Sequence, residues 1–74
     1  MNKGDAVIVV RDCMGAKEGK DLRLHVAAGQ HGTAMQVASY WVLVDLAGDG
    51  WWTLPRDAVE DHEDYNLRLG ISRR

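Results

Sequence analysis

The chain has 74 residues, with nine Lys and Arg against eleven Asp and Glu, which gives a formal net charge of −2. This length allows one domain, and the lack of a basic excess argues against a protein that binds nucleic acid by itself. The single cysteine, Cys13, excludes an intrachain disulfide. A domain this small buries only about 60% of the surface of its unfolded chain, so oligomerisation is the remaining common source of extra stability.

The first apolar run extends from Ala6 to Val10 and follows the turn-forming pair Gly4-Asp5. Its β-branched residues predict a strand. The run is too short for a signal peptide or a membrane span, so the sequence predicts a cytoplasmic protein without membrane contact.

Residues 11–31 are interrupted by glycines and charged residues. Within them Leu22, Leu24 and Val26 alternate with polar residues, which is the period of a short extended segment. We therefore expect a long loop with some hairpin character.

The strongest strand pattern lies in the second half of the chain. Residues 32–37 predict one strand and residues 40–46 another. In the second strand, alternation turns four side chains inward and three outward: Tyr40, Val42, Val44 and Leu46 inward, and Trp41, Leu43 and Asp45 outward.

A hairpin follows, because residues 47–50 read Ala-Gly-Asp-Gly and precede the β-rich segment 51–54. Pro55 has no backbone N–H to donate, so we expect the pairing of this strand with its neighbours in the sheet to end there. One helical turn and a short strand at 59–60 are expected next. In the tail, residues 61–74, the alternating Tyr65, Leu67, Leu69 and Ile71 predict an extended strand that could pair with a partner's sheet edge.

Three local patterns, in this order, resemble those of Src-homology-3-like small β-barrels. They are Lys3-Gly4-Asp5-Ala6-Val7, Gly29-Gln30-His31-Gly32-Thr33, and the stretch from Trp52 through Pro55 to Glu60. The resemblance implies an all-β, five-stranded barrel over residues 1–60, with a long first loop, one helical turn after Pro55 and an extended C-terminal tail over 61–74. Peptide-binding members carry an aromatic residue in the closing turn, where this chain has Ala58. Polyproline recognition is therefore not expected.

No catalytic or metal-binding constellation stands out. The candidate ligands Cys13, His25, His31 and His62 lack the paired spacing of a zinc site. Nothing in the sequence marks Cys13 as an activated nucleophile. The sequence therefore predicts no catalytic residue, no metal and no cofactor.

The three tryptophans are the clearest functional signal, because a barrel this narrow cannot turn all of them inward. Trp41, Leu43 and one of Trp51 and Trp52 are expected on the outer face, where exposed aromatic residues often anchor a protein partner. We predict a partner-binding set that also includes two acidic residues: Trp41, Leu43, Trp51, Trp52, Asp57 and Glu60. Two other interpretations stay open, namely a second small core under the long loop and the stacking of single-stranded bases.

The sequence thus favours a non-enzymatic interaction module that docks on a larger assembly or self-associates. The alternative is a transcription-related or nucleic-acid-associated regulator, such as one carried by a mobile element. A small enzyme formed by oligomerisation is a third class.

Overall fold

The computed structural model describes residues 1–19 and 23–68. Their strands are β1 Ala6–Val9, β2 Cys13–Lys17, β3 Arg23–Val26, β4 His31–Val37, β5 Trp41–Leu46, β6 Gly50–Pro55 and β7 Val59–Asp61. A 3₁₀ helix covers Arg56–Ala58, and helix α1 covers His62–Arg68. The predicted all-β class is confirmed: the strands form one antiparallel sheet in the order β3-β2-β6-β5-β4-β1-β7.

The five-stranded barrel is not confirmed, because the described sheet has seven strands and is open, with β3 and β7 at its two ends. The difference arises in the segment predicted to be a long loop with some hairpin character. There β2 and β3 form a hairpin that pairs Cys13 with Val26 and Ala16 with Arg23. Strand β2 also pairs with β6, where Ala16 lies opposite Thr53. The hairpin therefore extends the sheet beyond β6.

One apolar core lies on the inner face and includes side chains from both end strands. Its buried members are Val7, Val9, Cys13, Val26, Ala34, Val42, Val44, Leu46, Trp52, Leu54, Ala58 and Val59. The predicted alternation in β5 is confirmed for Val42, Val44 and Leu46. It is wrong for Tyr40, whose side chain is 86% exposed. Tyr40 precedes the strand, in a turn closed by a hydrogen bond from the Ala38 N–H to the Trp41 carbonyl, so the alternation does not extend to it.

The entry into β4 depends on two glycines. Gly29 has a φ of 97°, a left-handed conformation that favours glycine. Gly32 packs directly on β5: an added Cβ would lie 2.6 Å from the Asp45 carbonyl oxygen and 2.6 Å from Val44 Cγ1. This close approach explains why a residue without a side chain occupies that position.

The predicted strand in the tail is wrong for residues 65–68, which belong to helix α1. The Asp61 carboxylate accepts a hydrogen bond of 3.1 Å from the Glu63 N–H and so caps the first turn. Acidic residues in that turn also suit the positive end of the helix dipole. Leu69 and Ile71, the rest of the alternating pattern, lie outside the described residues.

Helix α1 packs against β1 and β7. Ile8 is buried although it points away from Val7 and Val9, so the helix covers the side of β1 that the main core does not reach. Across residues 1–19 and 23–68, no helix has the length and apolar character needed to cross a bilayer.

Candidate interaction surface

The outer face of the sheet carries three rows of side chains, which follow from the strand register. In the first row, at the β5–β6 hairpin, Asp45 lies opposite Trp51. The Glu18 N–H donates a hydrogen bond of 2.8 Å to the Trp51 carbonyl, which places Glu18 beside the same row. The row therefore combines one indole with two carboxylates.

The second row crosses four strands through Arg23, Ala16, Thr53 and Leu43. The third row pairs His25 with Met14 and Pro55 with Trp41. We call these three rows the outer face. The sequence prediction that Trp41 and Leu43 share one side of the sheet agrees with this register.

Three large apolar side chains of the outer face are exposed to solvent, whereas Leu43 is half-buried. Met14 is 47% exposed, Trp41 37% and Trp51 44%. Between them Ala16 and Thr53 are small, so the surface is recessed there. The recess is a groove of about 310 Å³, whose lining includes Met14, Ala16, Arg23, Tyr40, Trp41, Thr53 and Pro55.

A second depression of about 600 Å³ continues from the first one, since Tyr40 and Pro55 line both. It reaches Arg11, Arg56 and Asp57. The groove of the outer face thus continues into a depression that reaches the start of the 3₁₀ helix.

Trp52 does not belong to this surface, which corrects its place in the predicted partner-binding set. Its side chain is only 4% exposed and packs in the core. The indole Nε1–H donates a hydrogen bond of 3.0 Å to the Asp49 carbonyl, and Lys17 Nζ lies 5.8 Å from the ring centroid. Trp52 is therefore a structural residue, and Trp51 is the exposed member of the pair.

The two acidic residues of the predicted set lie apart from each other. Asp57 is exposed at the edge of the second depression and forms an ion pair of 2.5 Å with Arg11. Glu60 lies on β7, opposite Ile8 of β1, at the far end of the sheet from β6. Asp57 thus borders the outer face, whereas Glu60 does not.

Charged side chains of both signs surround the outer face. The ion pairs within the described residues are Arg11–Asp57, Lys17–Asp49 and His25–Asp12. Arg23, on the second row, and Arg56, at the second depression, take part in none of them. The same holds for Asp45 and Glu18 at the first row. Asp57 lines the second depression together with Arg56, so both signs of charge occur there.

The remaining candidate groups are Cys13 and the histidines. Cys13 is buried, and this burial raises the pKa of its thiol and so disfavours the nucleophilic thiolate. The rings of His31 and His62 lie 5.0 Å apart, a contact that their sequence separation did not reveal. Within residues 1–19 and 23–68, no three His, Cys, Asp or Glu side chains are grouped as metal ligands would be.

Comparisons with protein-family models, with curated proteins and with solved structures gave no significant match. The geometry described above therefore carries the functional argument alone.

Proposed function

We propose that the chain is a non-enzymatic protein-interaction module built on a Src-homology-3-like small barrel, and that it acts in the cytoplasm. The order of elements supports this fold. A first strand is followed by a two-stranded arm, three meandering strands, a 3₁₀ helix and a short last strand that pairs with the first. The unpaired thiol of Cys13 suits a reducing compartment.

One observation carries the functional proposal. The exposed apolar side chains of Met14, Trp41 and Trp51 share one face around a groove, although the core is complete without them. Exposing such groups together is unfavourable for an isolated domain and is typical of protein-binding surfaces. Tyr40 and Trp41 are of the residue types that most often dominate binding energy.

The closing turn supports a partner other than a polyproline helix. Ala58, at the position of the family's aromatic residue, is completely buried, so it presents no ring to a ligand. The arginines at the groove also suit carboxylates better than an uncharged proline-rich segment.

An affinity capture from the native host tests this function. The Trp41→Ala variant removes a large apolar anchor from the outer face, and we expect it to lose partners that the wild-type chain retains. Leu67→Ala is the matched control, because Leu67 is 65% exposed on α1, away from this face. An identical set of partners for wild type and Trp41→Ala would refute the role of the outer face.

A further inference from the structure

We propose that the groove of the outer face binds an extended acidic segment of another protein, in which a carboxylate lies beside a large apolar side chain. This inference rests on the proposed function and names the chemistry of its partner. It depends on the charge and on the shape of the surface around the groove.

Arg23 gives the groove its charge. Among the described residues that line the groove, it alone is charged. It takes part in none of the ion pairs within residues 1–19 and 23–68. Its guanidinium can bind a carboxylate through two parallel hydrogen bonds, which makes such a pair stronger than a contact between neutral groups. A partner that brings a carboxylate to Arg23 therefore gains a contact that an uncharged segment lacks.

The second depression, which continues from the groove, adds positive charge. Among the described residues, its charged lining residues are Arg11, Arg56 and Asp57, and Asp57 is already paired with Arg11. The two depressions thus have three arginines and one aspartate, a formal charge of +2, although the whole chain has −2. A negatively charged segment is therefore complementary to this part of the surface.

Arg56 is a weaker partner for a carboxylate than Arg23. It also lines a separate recess together with Glu60, Asp61 and Asp64, whose carboxylates lower the positive potential around it. We therefore assign the carboxylate of the partner to Arg23.

The floor of the groove accepts an apolar side chain. Ala16 and Thr53 are both small and lie opposite each other on β2 and β6. A partner side chain that enters over them contacts Trp41, which lines the same groove and is 37% exposed. The volume of about 310 Å³ is at the lower end of the range for small-ligand sites, so it suits one large side chain rather than a whole helix.

The distance from Arg23 to this floor determines the spacing in the partner. Neighbouring strands are about 4.8 Å apart, so Ala16 and Thr53 lie one and two strand spacings, about 5 and 10 Å, from Arg23. In an extended segment, side chains two positions apart point to the same side and are separated by roughly 6.5–7 Å. We therefore expect the carboxylate two positions away from the apolar side chain.

Carboxylates on the first row limit where the acidic part of the partner lies. Asp45 is opposite Trp51, and Glu18 is bonded to the Trp51 backbone. Like charges placed against each other across an interface are unfavourable. The acidic residues of the segment therefore lie over the groove and the second depression and not over Trp51.

Fluorescence anisotropy with labelled peptides tests the chemistry of the partner. The probe is a fluorescein-labelled peptide of repeated Glu-Ser-Leu-Ser units, and two matched peptides have Gln or Lys in place of Glu. We expect the Glu peptide to bind about three- to tenfold more tightly than the Gln peptide, and the Lys peptide to bind more weakly still. Added salt should narrow this difference. Equal binding of the Glu and Gln peptides, or no binding of the Glu peptide at about 1 mM, would overturn the proposal.

Three variants test the site on the protein. Arg23→Gln keeps a polar side chain at an exposed position, and it should make the Glu and Gln peptides bind equally well. Ala16→Met fills the floor of the groove and should weaken both peptides by a similar factor. Lys3→Gln is the charge-matched control, because Lys3 is exposed in the turn before β1, and it should retain the preference for Glu. A preference that persists in Arg23→Gln, or that is lost equally in Lys3→Gln, would overturn the assignment to the groove.

A fluorescein-labelled oligothymidylate separates an acidic protein segment from a single-stranded nucleic acid. We expect it to bind more weakly than the Glu peptide, because the chain has a net charge of −2. If it binds more tightly, and both Arg23→Gln and Trp41→Ala weaken it, the partner is a nucleic acid and the proposal is wrong.

The failure of this inference can be distinguished from the failure of the proposed function by the affinity capture described above. Captured proteins that depend on Trp41 but not on Arg23 contradict the acidic partner alone. Captured proteins that are unaffected by Trp41→Ala contradict the proposed function, and a lack of peptide binding in addition contradicts both.

Discussion

Trp51 and Trp52 show how one step along a strand separates two identical side chains. The Trp52 side chain packs in the core, and its indole N–H donates a hydrogen bond to the Asp49 carbonyl. The Trp51 side chain is exposed to solvent and lies opposite Asp45. The alternation along β6 requires that one be inside and one outside, which the sequence could predict. Which of them was inside depended on the register with β5, which the sequence left open.

Position 32 requires glycine because there is no space for a side chain, not because of its backbone conformation. Replacing it with alanine places a methyl group 2.6 Å from the backbone of β5 at Asp45, and backbone atoms there cannot move without disturbing the strand pair. We expect Gly32→Ala to lower the free energy of unfolding by about 1–3 kcal/mol.

Urea denaturation measures this effect. Thr33→Ala, at the next and exposed position of the same strand, serves as the control and should cost less than about 1 kcal/mol. A Gly32→Ala variant that is as stable as wild type would show that β4 and β5 can move apart at this point.

Among the elements, the strands with strong apolar patterns were predicted with nearly correct limits. The first strand, the β5–β6 hairpin and the helical turn after Pro55 all lie where the sequence placed them. These segments have either continuous β-branched residues or a turn motif, so local chemistry determines them.

The β2–β3 hairpin was predicted only as a long loop with some hairpin character, and helix α1 was not predicted, because the formation of both depends on distant contacts. Strand β2 contains Gly15, a poor strand former, whose absent side chain lets Leu54 and Trp52 pack against it. The tail alternates as a strand does, yet the Asp61 cap and packing on β1 and β7 make its residues 62–68 helical. The grouping of Met14 with Trp41 and Pro55 on one face likewise depends on the register that joins the strands.

Asp12, just before β2, forms contacts with β3 and with the residues that follow it. Its carboxylate accepts a hydrogen bond of 2.8 Å from the Ala28 N–H and lies 3.5 Å from His25 Nε2. The Ala28 bond, followed by the His25 contact, holds the pKa of Asp12 below its ordinary value of 3.8. The ionised group is thus favoured more in the folded protein than in the unfolded chain.

This shift predicts a pH-dependent contribution to stability. Because the folded pKa is lower than the unfolded one, Asp12 stabilises the fold above pH 3.8, and the contribution disappears as the pH falls through the lowered value. The stability difference between wild type and Asp12→Ala should therefore shrink from neutral pH to a pH of about 2.

Parallel urea titrations at a series of pH values check this prediction. Asp12→Asn is the matched control, since its amide oxygen can still accept the Ala28 bond but has no charge to titrate. A wild-type advantage over Asp12→Ala that stays constant across the acid range would contradict the assignment.

For the whole molecule, the fluorescence of the three tryptophans reports on the outer face. In the free chain Trp41 and Trp51 should be accessible to acrylamide and Trp52 protected, in line with their exposure. When a captured partner protein is added, the accessible fraction should decrease, because Trp41 and Trp51 enter the interface.

Trp51→Phe isolates the contribution of that indole to the quenching. Quenching that does not change when the bound partner is present would place the contact on another surface.

The pairing of β1 with β7 also determines when the chain can finish folding. It joins residues 7–9 to residues 59–61, whereas the β5–β6 hairpin joins neighbours in sequence. Closing a long loop costs entropy before its contacts form, so the hairpin should be structured in the folding transition state and the β1–β7 ladder should form late. Val44→Ala should then slow refolding, while Val7→Ala should mainly accelerate unfolding, as stopped-flow kinetics can determine. During synthesis, β4, β5 and β6 can therefore pair with one another before residues 59–61 leave the ribosome. The sheet is completed only after those residues have emerged and paired with β1.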